Sequence, residues 1–444
     1  MNSERANSSV KKLAWSLIVL AFLSKVSFAF TGLVPESVPL FVFQYGIHPY
    51  VNVALNFFLG FCLFVSLRAR HELPKLADFR APYRVWAIGC IALLWFQHCL
   101  QMLAQIDDTN AVLVVITMLC TTFLAYFFGF VLPRVVPGKE FVEGVALICT
   151  AICVVSVGMQ LAGIGGLYKG TRFVGILKHI PYMVTCSMVG YLFSLGRFDL
   201  SKGFRHLLLL AGGQLFNLYA LWLTGTRSAL FAVLLGSFVW FVTMRAPTPA
   251  FRLGRGLLVW LAVLSGLLFG TFAYDFSRDL LTGKTAIGSR QPQDGVSDRM
   301  DEVYRGLDML DKAPWIGLGL LSKFGDTEGE DVVNSYNSFQ DPHNLFISSA
   351  VVGGYPFGLW VAFGFLLAIA ACLQGVLKAE HTAQHIIALY MLSQIPILAI
   401  YHMHLSLGGL ADRLYWLAFG YLGLSWAKLP QKDSVKSEKK PLTS

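Results

Sequence analysis

The chain is cut by a dozen apolar runs, most of them close to the roughly 20 residues that an α-helix needs to cross a hydrocarbon core. The runs drawn from the sequence are Leu13–Leu33, Val51–Leu67, Val85–Leu103, Ala111–Leu132, Phe141–Ile164 and Ile180–Leu195. They continue with His206–Leu223, Ser228–Met244, Gly256–Phe272, Leu345–Leu373, Ile386–Ile400 and Leu410–Trp426. A backbone in lipid must satisfy its own hydrogen bonds, so runs of this length and continuity are read as helices. With 55% hydrophobic and only 14% charged residues, the chain cannot be a soluble globule. The expectation is an all-α polytopic membrane protein of about twelve transmembrane helices.

Basic residues sort by loop. Arg5, Lys11 and Lys12 precede the first run; Arg68, Arg70, Lys75, Arg80 and Arg84 fill the second loop; Arg134 and Lys139 lie in the fourth. Arg197, Lys202 and Arg205 follow, then Arg245, Arg252 and Arg255, Lys378, and finally the tail from Lys428 to Lys440. Every second loop is basic, which puts both termini in the cytoplasm. The net charge of +9 is therefore mostly topological and needs no nucleic acid. The first run has no small-residue cleavage site after it and reads as a retained anchor. All eight cysteines fall in apolar runs, so neither a disulfide framework nor a thiolate metal site is implied.

The expected organisation is residues 1–272 as nine spans, 273–344 as an external loop, 345–428 as three more spans and 429–444 as a basic tail. Residues 34–50 lack Lys and Arg and read as an apolar aromatic segment at the interface. Inside the long loop, Met300, Val303, Tyr304, Leu307 and Leu310 recur at helical spacing, with Asp298 as N-cap and Pro314 as stop.

Several cations break the charge rule. Lys169, Arg172 and Lys178 lie in one external loop and Arg227 in another, while Arg299 lies in the long loop. Cations at the membrane edge on the side opposite the basic loops invite an anion, and a lipid phosphate is the anion natural to that depth. In Thr224-Gly-Thr-Arg-Ser-Ala229 the glycine permits a tight turn and the hydroxyls can cap the next helix. Arg227 there offers a planar fork suited to phosphate oxygens, although an arginine snorkelling to headgroups would read the same way. Three cations within Lys169–Lys178 can hold a diphosphate or its neighbouring sugar, or simply attract anionic lipid.

The long loop closes on Asp341-Pro-His-Asn344. A neutral imidazole is the natural proton acceptor near neutral pH, so His343 is the candidate base; Asp341 and Asn344 can orient it or cap the next helix. Arg299 and Glu302, at i and i+3, form either an exposed pair or an anion contact with its buttress. His402 and His404 would need Asp412 to complete a metal site, and polar packing is the simpler reading. Lys25 and Arg413 are intramembrane charges with no partner readable from sequence.

The order and spacing of Arg172-Phe-Val-Gly175, Gly225-Thr-Arg-Ser-Ala229, the Arg299 helix with Pro314-Trp-Ile-Gly-Leu-Gly319, and Pro342-His-Asn344 resemble the O-antigen ligase superfamily. The resemblance implies a membrane-embedded glycosyltransferase of the C type with its site facing the periplasm at the bacterial inner membrane. It implies transfer of a glycan from undecaprenyl diphosphate to lipid A–core oligosaccharide in lipopolysaccharide biosynthesis, without metal or other cofactor. By the same resemblance Arg227, Arg299 and His343 are functional. The superfamily also holds O-antigen polymerases and protein O-oligosaccharyltransferases. A transporter of lipid-linked sugar is a reading from a different class, but no half-to-half similarity supports it.

Overall fold

In a computed structural model, the described residues are 2–27, 42–43, 46–47, 49–104, 109–169, 172–177, 179–197, 204–243, 297–318, 344–378, 382–398 and 410–424. Their helices are α1 (Asn2–Leu23), α2 (Pro49–Ala69), α3 (Ala81–Ala104), α4 (Thr109–Tyr126), α5 (Leu132–Val135), α6 (Gly138–Leu161) and α7 (Ile180–Leu195). After these come α8 (Phe204–Thr224), α9 (Arg227–Thr243), α10 (Ser297–Lys312), α11 (Leu345–Lys378), α12 (Thr382–Leu398) and α13 (Leu410–Gly423). Two antiparallel hairpins of two-residue strands complete the described structure: β1 (Val42–Phe43) with β2 (Gly46–Ile47), and β3 (Tyr168–Lys169) with β4 (Arg172–Phe173). The protein is a mostly helical membrane protein.

By length and composition, four helices among the described residues can cross a membrane: Val51–Ala69, Gly138–Leu161, Phe204–Thr224 and Leu345–Leu377. Leu119–Val135, Ile180–Leu195 and Arg227–Thr243 are shorter but equally apolar. The ninth run, Gly256–Phe272, lies outside the described residues.

The bundle is organised around α13. Helices α6, α7 and α8 pack on one another, α11 packs on α3 and α12, and α12 packs on α9 and α7. Helix α13 meets α12 and the π-helical turn Phe127–Val131 that links α4 to α5. That wider turn has a use: Tyr83 Oη donates to Gly129 O at 2.8 Å, and Gly420 lets α13 approach so closely that a Cβ there would meet Gly129 O. Aromatic rings fill the crossing, with Trp86 stacked on Trp416 at 5.4 Å and Tyr83 edge-on to Phe419 at 5.0 Å. Helices α3 and α11 are cross-linked by exchanged bonds: each of Trp86 and Trp360 donates its indole N–H to the other's carbonyl.

Three departures from the sequence expectations stand out. The first run is drawn from the sequence through Leu33, yet α1 ends at Leu23. There Val26 bridges to Leu177, and Ser27 N donates to Ile176 O at 2.7 Å. Pairing with a distant segment replaces the helical bonds that hydropathy alone would extend. In α10 the helix already includes Asp298, so that residue lies in the first turn instead of capping it. The same helix buries Gly306, Met309 and Leu310 against Ala350, Val351 and Val352, while Tyr304 and Leu307 of the expected stripe stay exposed. Finally, the tenth run is broken at Gly353–Gly354, where non-helical backbone interrupts α11.

The break in α11 is a docking point. After α10, Leu318 N donates to Val351 O at 2.7 Å and Tyr355 N donates to Pro314 O at 2.7 Å. Gly317 (φ +76°) and Gly354 (φ +75°) meet backbone to backbone, and a Cβ on either would lie about 2.4 Å from the other segment's carbonyls. Pro314-Trp-Ile-Gly-Leu318 therefore supplies the bonds that the broken helix cannot make for itself.

Loops fall into two connected sets. Lys11 pairs with Glu140, Asp78 pairs with Arg134 at 3.5 Å, and Arg80 N donates to Gly423 O. At the other end of the helices, the segment after α1, the β3–β4 hairpin and the α8–α9 turn contact one another.

Candidate active site

The α8–α9 turn is built by its own hydroxyls. Gly225, at φ +64°, takes the left-handed conformation that reverses the chain, and its N–H donates to Trp222 O at 3.0 Å. Thr224 Oγ1 donates to Leu221 O at 2.7 Å and accepts from Thr226 N at 3.3 Å. Thr226 O then accepts the first bond of α9, from Leu230 N at 3.2 Å. Thr224 and Thr226 are both buried, so the turn is held within the protein and not in solvent.

Arg227 is the first residue of α9, and its side chain is 7% exposed. A cation in a helix's first turn opposes the positive end of the helix dipole, at a cost of about 0.3–1 kcal/mol. An anion placed there would be attracted by both the guanidinium and the helix end.

Arg172 reaches this turn from the β3–β4 hairpin. Its Nε donates to Thr224 O at 3.0 Å and its Nη2 to Thr226 Oγ1 at 2.8 Å. Two residues 54 apart are thus joined by the geometry that fixes Arg227. The sequence offered Arg172 as a substrate-binding cation; in the structure two of its nitrogens brace the neighbouring turn. The hairpin is itself anchored: Phe173 is fully buried, Ile176 N donates to Ser156 Oγ at 3.2 Å, and Gly175 sits where a Cβ would strike Ser156.

Asn344 shows the capping role. Its Oδ1 accepts from Phe346 N at 3.0 Å and from Ile347 N at 3.2 Å, which satisfies two of the unpaired donors opening α11. Lys169 lies in β3, paired in register with Arg172. Arg299 and Glu302 fall in the first turns of α10, but their side chains lie outside the described set. His343, Asp341 and Lys178 lie outside the described residues. The structure therefore unites Arg172, Thr224, Thr226 and Arg227, and places the Asn344 cap at the head of α11.

Two further charges escaped assignment from sequence because their partners lie far along the chain. Lys25 is 8% exposed, with its Nζ 4.9 Å from the centroid of the Tyr182 ring. Arg413, 1% exposed, donates from Nη1 to Asn56 Oδ1 at 3.3 Å and lies 5.9 Å from the Phe128 ring centroid.

Among the described residues, no group of three His, Cys, Asp or Glu is placed to hold a metal ion. His402 and His404 lie outside those residues.

No curated protein matches the chain. The family model described as O-antigen ligase matches residues 213–363. The matched segment runs from within α8, through the Thr224–Arg227 turn, α9 and α10, into the broken helix α11. That segment, which carries the braced Arg227 turn, is similar to the O-antigen ligase family and supports a relation of the chain to that superfamily.

Proposed function

We propose that this protein is a membrane glycosyltransferase that moves a glycan from undecaprenyl diphosphate to a hydroxyl of lipid A–core oligosaccharide, on the periplasmic side of the inner membrane. In this reading about twelve helices span the membrane, both termini are cytoplasmic, and residues 273–344 form the periplasmic loop. The observation that carries it is the buried Arg227 guanidinium, set at a helix start by the Arg172 brace, inside the segment that matches O-antigen ligase.

The acceptor oxygen attacks the anomeric carbon as the bond from that carbon to the diphosphate oxygen breaks, inverting the centre in one displacement. His343 accepts the acceptor's proton. The electron pair leaves with the diphosphate, whose growing charge is met by Arg227 and Arg299 and by the N-terminus of α9. Fixed cations in a site of low polarity do this without a metal, and one such contact is worth about 3 kcal/mol. Lys169 and Lys178 line the approach of the diphosphate, Arg172 holds the turn that presents Arg227, Glu302 holds Arg299, and Asp341 and Asn344 orient His343.

The test is transfer by purified protein in EDTA from a lipid diphosphate donor, with lipid A–core, a second donor molecule and an acceptor protein offered separately. Transfer to core alone, abolished in His343→Ala, is the expected result. Lengthening of the donor would make the protein a polymerase, and glycan on the acceptor protein an O-oligosaccharyltransferase. Donor movement across proteoliposomes with no transfer would replace the enzyme with a transporter.

A further inference from the structure

The break in α11 divides that helix unequally. Beyond it, residues 355–377 run for about 33 Å at roughly 1.5 Å per residue, close to the thickness of a hydrocarbon core of about 30 Å. This stretch belongs to the apolar span Leu345–Leu377 and is followed by Lys378. One face of it is bare. Tyr355, Leu359, Phe363 and Leu366 recur at helical spacing and are exposed, while Phe357, Val361 and Ala368 on its other side are buried. On a helix that crosses a membrane, an exposed apolar stripe of this kind is the side that meets lipid.

The stripe continues past the break onto another segment. Tyr355 N donates to Pro314 O at 2.7 Å, and a Cβ on Gly354 would lie 2.4 Å from Trp315 O and 2.8 Å from Ile316 N. These contacts fix Trp315 and Ile316 at the head of the stripe, where they are 74% and 57% exposed. Exposed charge ends just before them. On α10, Asp308, Asp311 and Lys312 are exposed among Tyr304 and Leu307, whereas residues 313–318 carry no charge. The surface thus changes from mixed to wholly apolar at the point where the span of α11 begins. Before the break, Ala350, Val351 and Val352 are covered by Met309 and Leu310 of α10, so protein takes the place of lipid there. An indole, apolar in body with one polar N–H, is suited to the boundary between hydrocarbon and water.

We propose that the Gly353–Gly354 break marks the membrane surface, and that Trp315 and Ile316 dock there into the headgroup–acyl boundary of the bilayer. The continuity of the pair with the lipid-facing stripe selects the bilayer as its occupant over a second copy of the chain. Anchored in this way, the segment sets the height of α10, and of the helix head capped by Asn344, relative to the lipid. The anchor does not depend on which glycan is moved or on what accepts it.

The full chain, grown with fluorotryptophan, is placed in nanodiscs of phosphatidylcholine and phosphatidylglycerol and followed by fluorine NMR. The Trp315 signal is the one absent from Trp315→Phe, a change at an exposed position that keeps an aromatic ring and leaves the fold in place. Two relaxation agents are compared: phosphatidylcholine carrying a nitroxide beside its headgroup, and a water-soluble gadolinium chelate. The nitroxide lipid should erase the Trp315 signal under conditions where the chelate leaves it visible. Ile316→Asp, which puts a charge at the boundary, should restore part of the signal in the presence of the nitroxide lipid. Loss to the chelate equal to or greater than loss to the nitroxide lipid would place Trp315 in water and overturn the anchor. A signal that neither agent diminishes would mean that protein covers Trp315, a second copy included, and would overturn it equally.

Discussion

Arg172 Nη2 donates to Thr226 Oγ1 at 2.8 Å, and through this bond the β3–β4 hairpin sets the geometry of the turn that presents Arg227. The same guanidinium's Nε holds Thr224 O, so the turn is gripped on both sides of Gly225. An arginine that grips a turn should act differently from one that grips a ligand.

Arg172→Ala should therefore lower kcat by about 10–100-fold, the scale of a lost charge-assisted hydrogen bond, with a smaller effect on KM. Arg172→Lys should recover little of this, because an ammonium cannot reproduce the two-pronged contact. Thr226→Val should give a milder loss of the same kind. Steady-state kinetics on all three variants is the check; a pure KM effect would mean Arg172 serves mainly as a donor contact.

Arg227→Ala should cost about 10²–10³ in kcat if the guanidinium stabilises the departing diphosphate. Adding Arg172→Ala to that variant should cost almost nothing more, because the brace has no purpose without the group it holds. A double-mutant cycle measures this directly, and simple additivity would separate the two roles.

Gly354→Ala and Gly317→Ala should each destabilise the protein by about 1–3 kcal/mol from backbone strain, with further cost from the carbonyls a Cβ would strike. Gly158→Ala in α6 is the matched control. Its Cβ meets nothing within 4 Å, and alanine there should be neutral or stabilising by about 0.5–1 kcal/mol. Thermal unfolding in detergent distinguishes them.

Asn344→Ala should cost about 1 kcal/mol through loss of the α11 cap, and Asn344→Ser or Asn344→Asp should restore it. Comparing stability with transfer rate separates the cap from a substrate contact. If serine restores stability but not activity, the amide also meets substrate.

The helices were legible because continuous apolar runs of membrane length have few other folds open to them. The limits of that signal are equally physical. Leu13–Leu33 reads as one predominantly apolar run, yet the chain leaves the helix at Ser24, where the Ile176–Leu177 segment offers its backbone bonds; hydropathy carries no information about such a partner. The π turn at Phe127–Val131 and the break at Gly353–Gly354 lie inside apolar runs, and each depends on a contact from another helix or loop. At the site, Arg227 and Arg172 were visible as residues, being cations where cations are unexpected. Their relation was not, since it spans a turn and a hairpin that only tertiary packing brings together. Lys25 and Arg413 were noticed for the same reason and stayed without partners until Tyr182 and Asn56 came into view.

The break in α11 also bears on how this family can diversify. Leu318 is moored to Val351 and Asn344 caps the same helix, so residues 318 and 344 are attached to one rod, seven residues or about 10 Å apart along its axis. A segment whose two ends share a single support can be lengthened or rewritten at little entropic expense, about 0.6 kcal/mol for a doubling. Changes of length between residues 319 and 340, short of Asp341 and His343, should therefore leave the rod and the turn beneath it as they are.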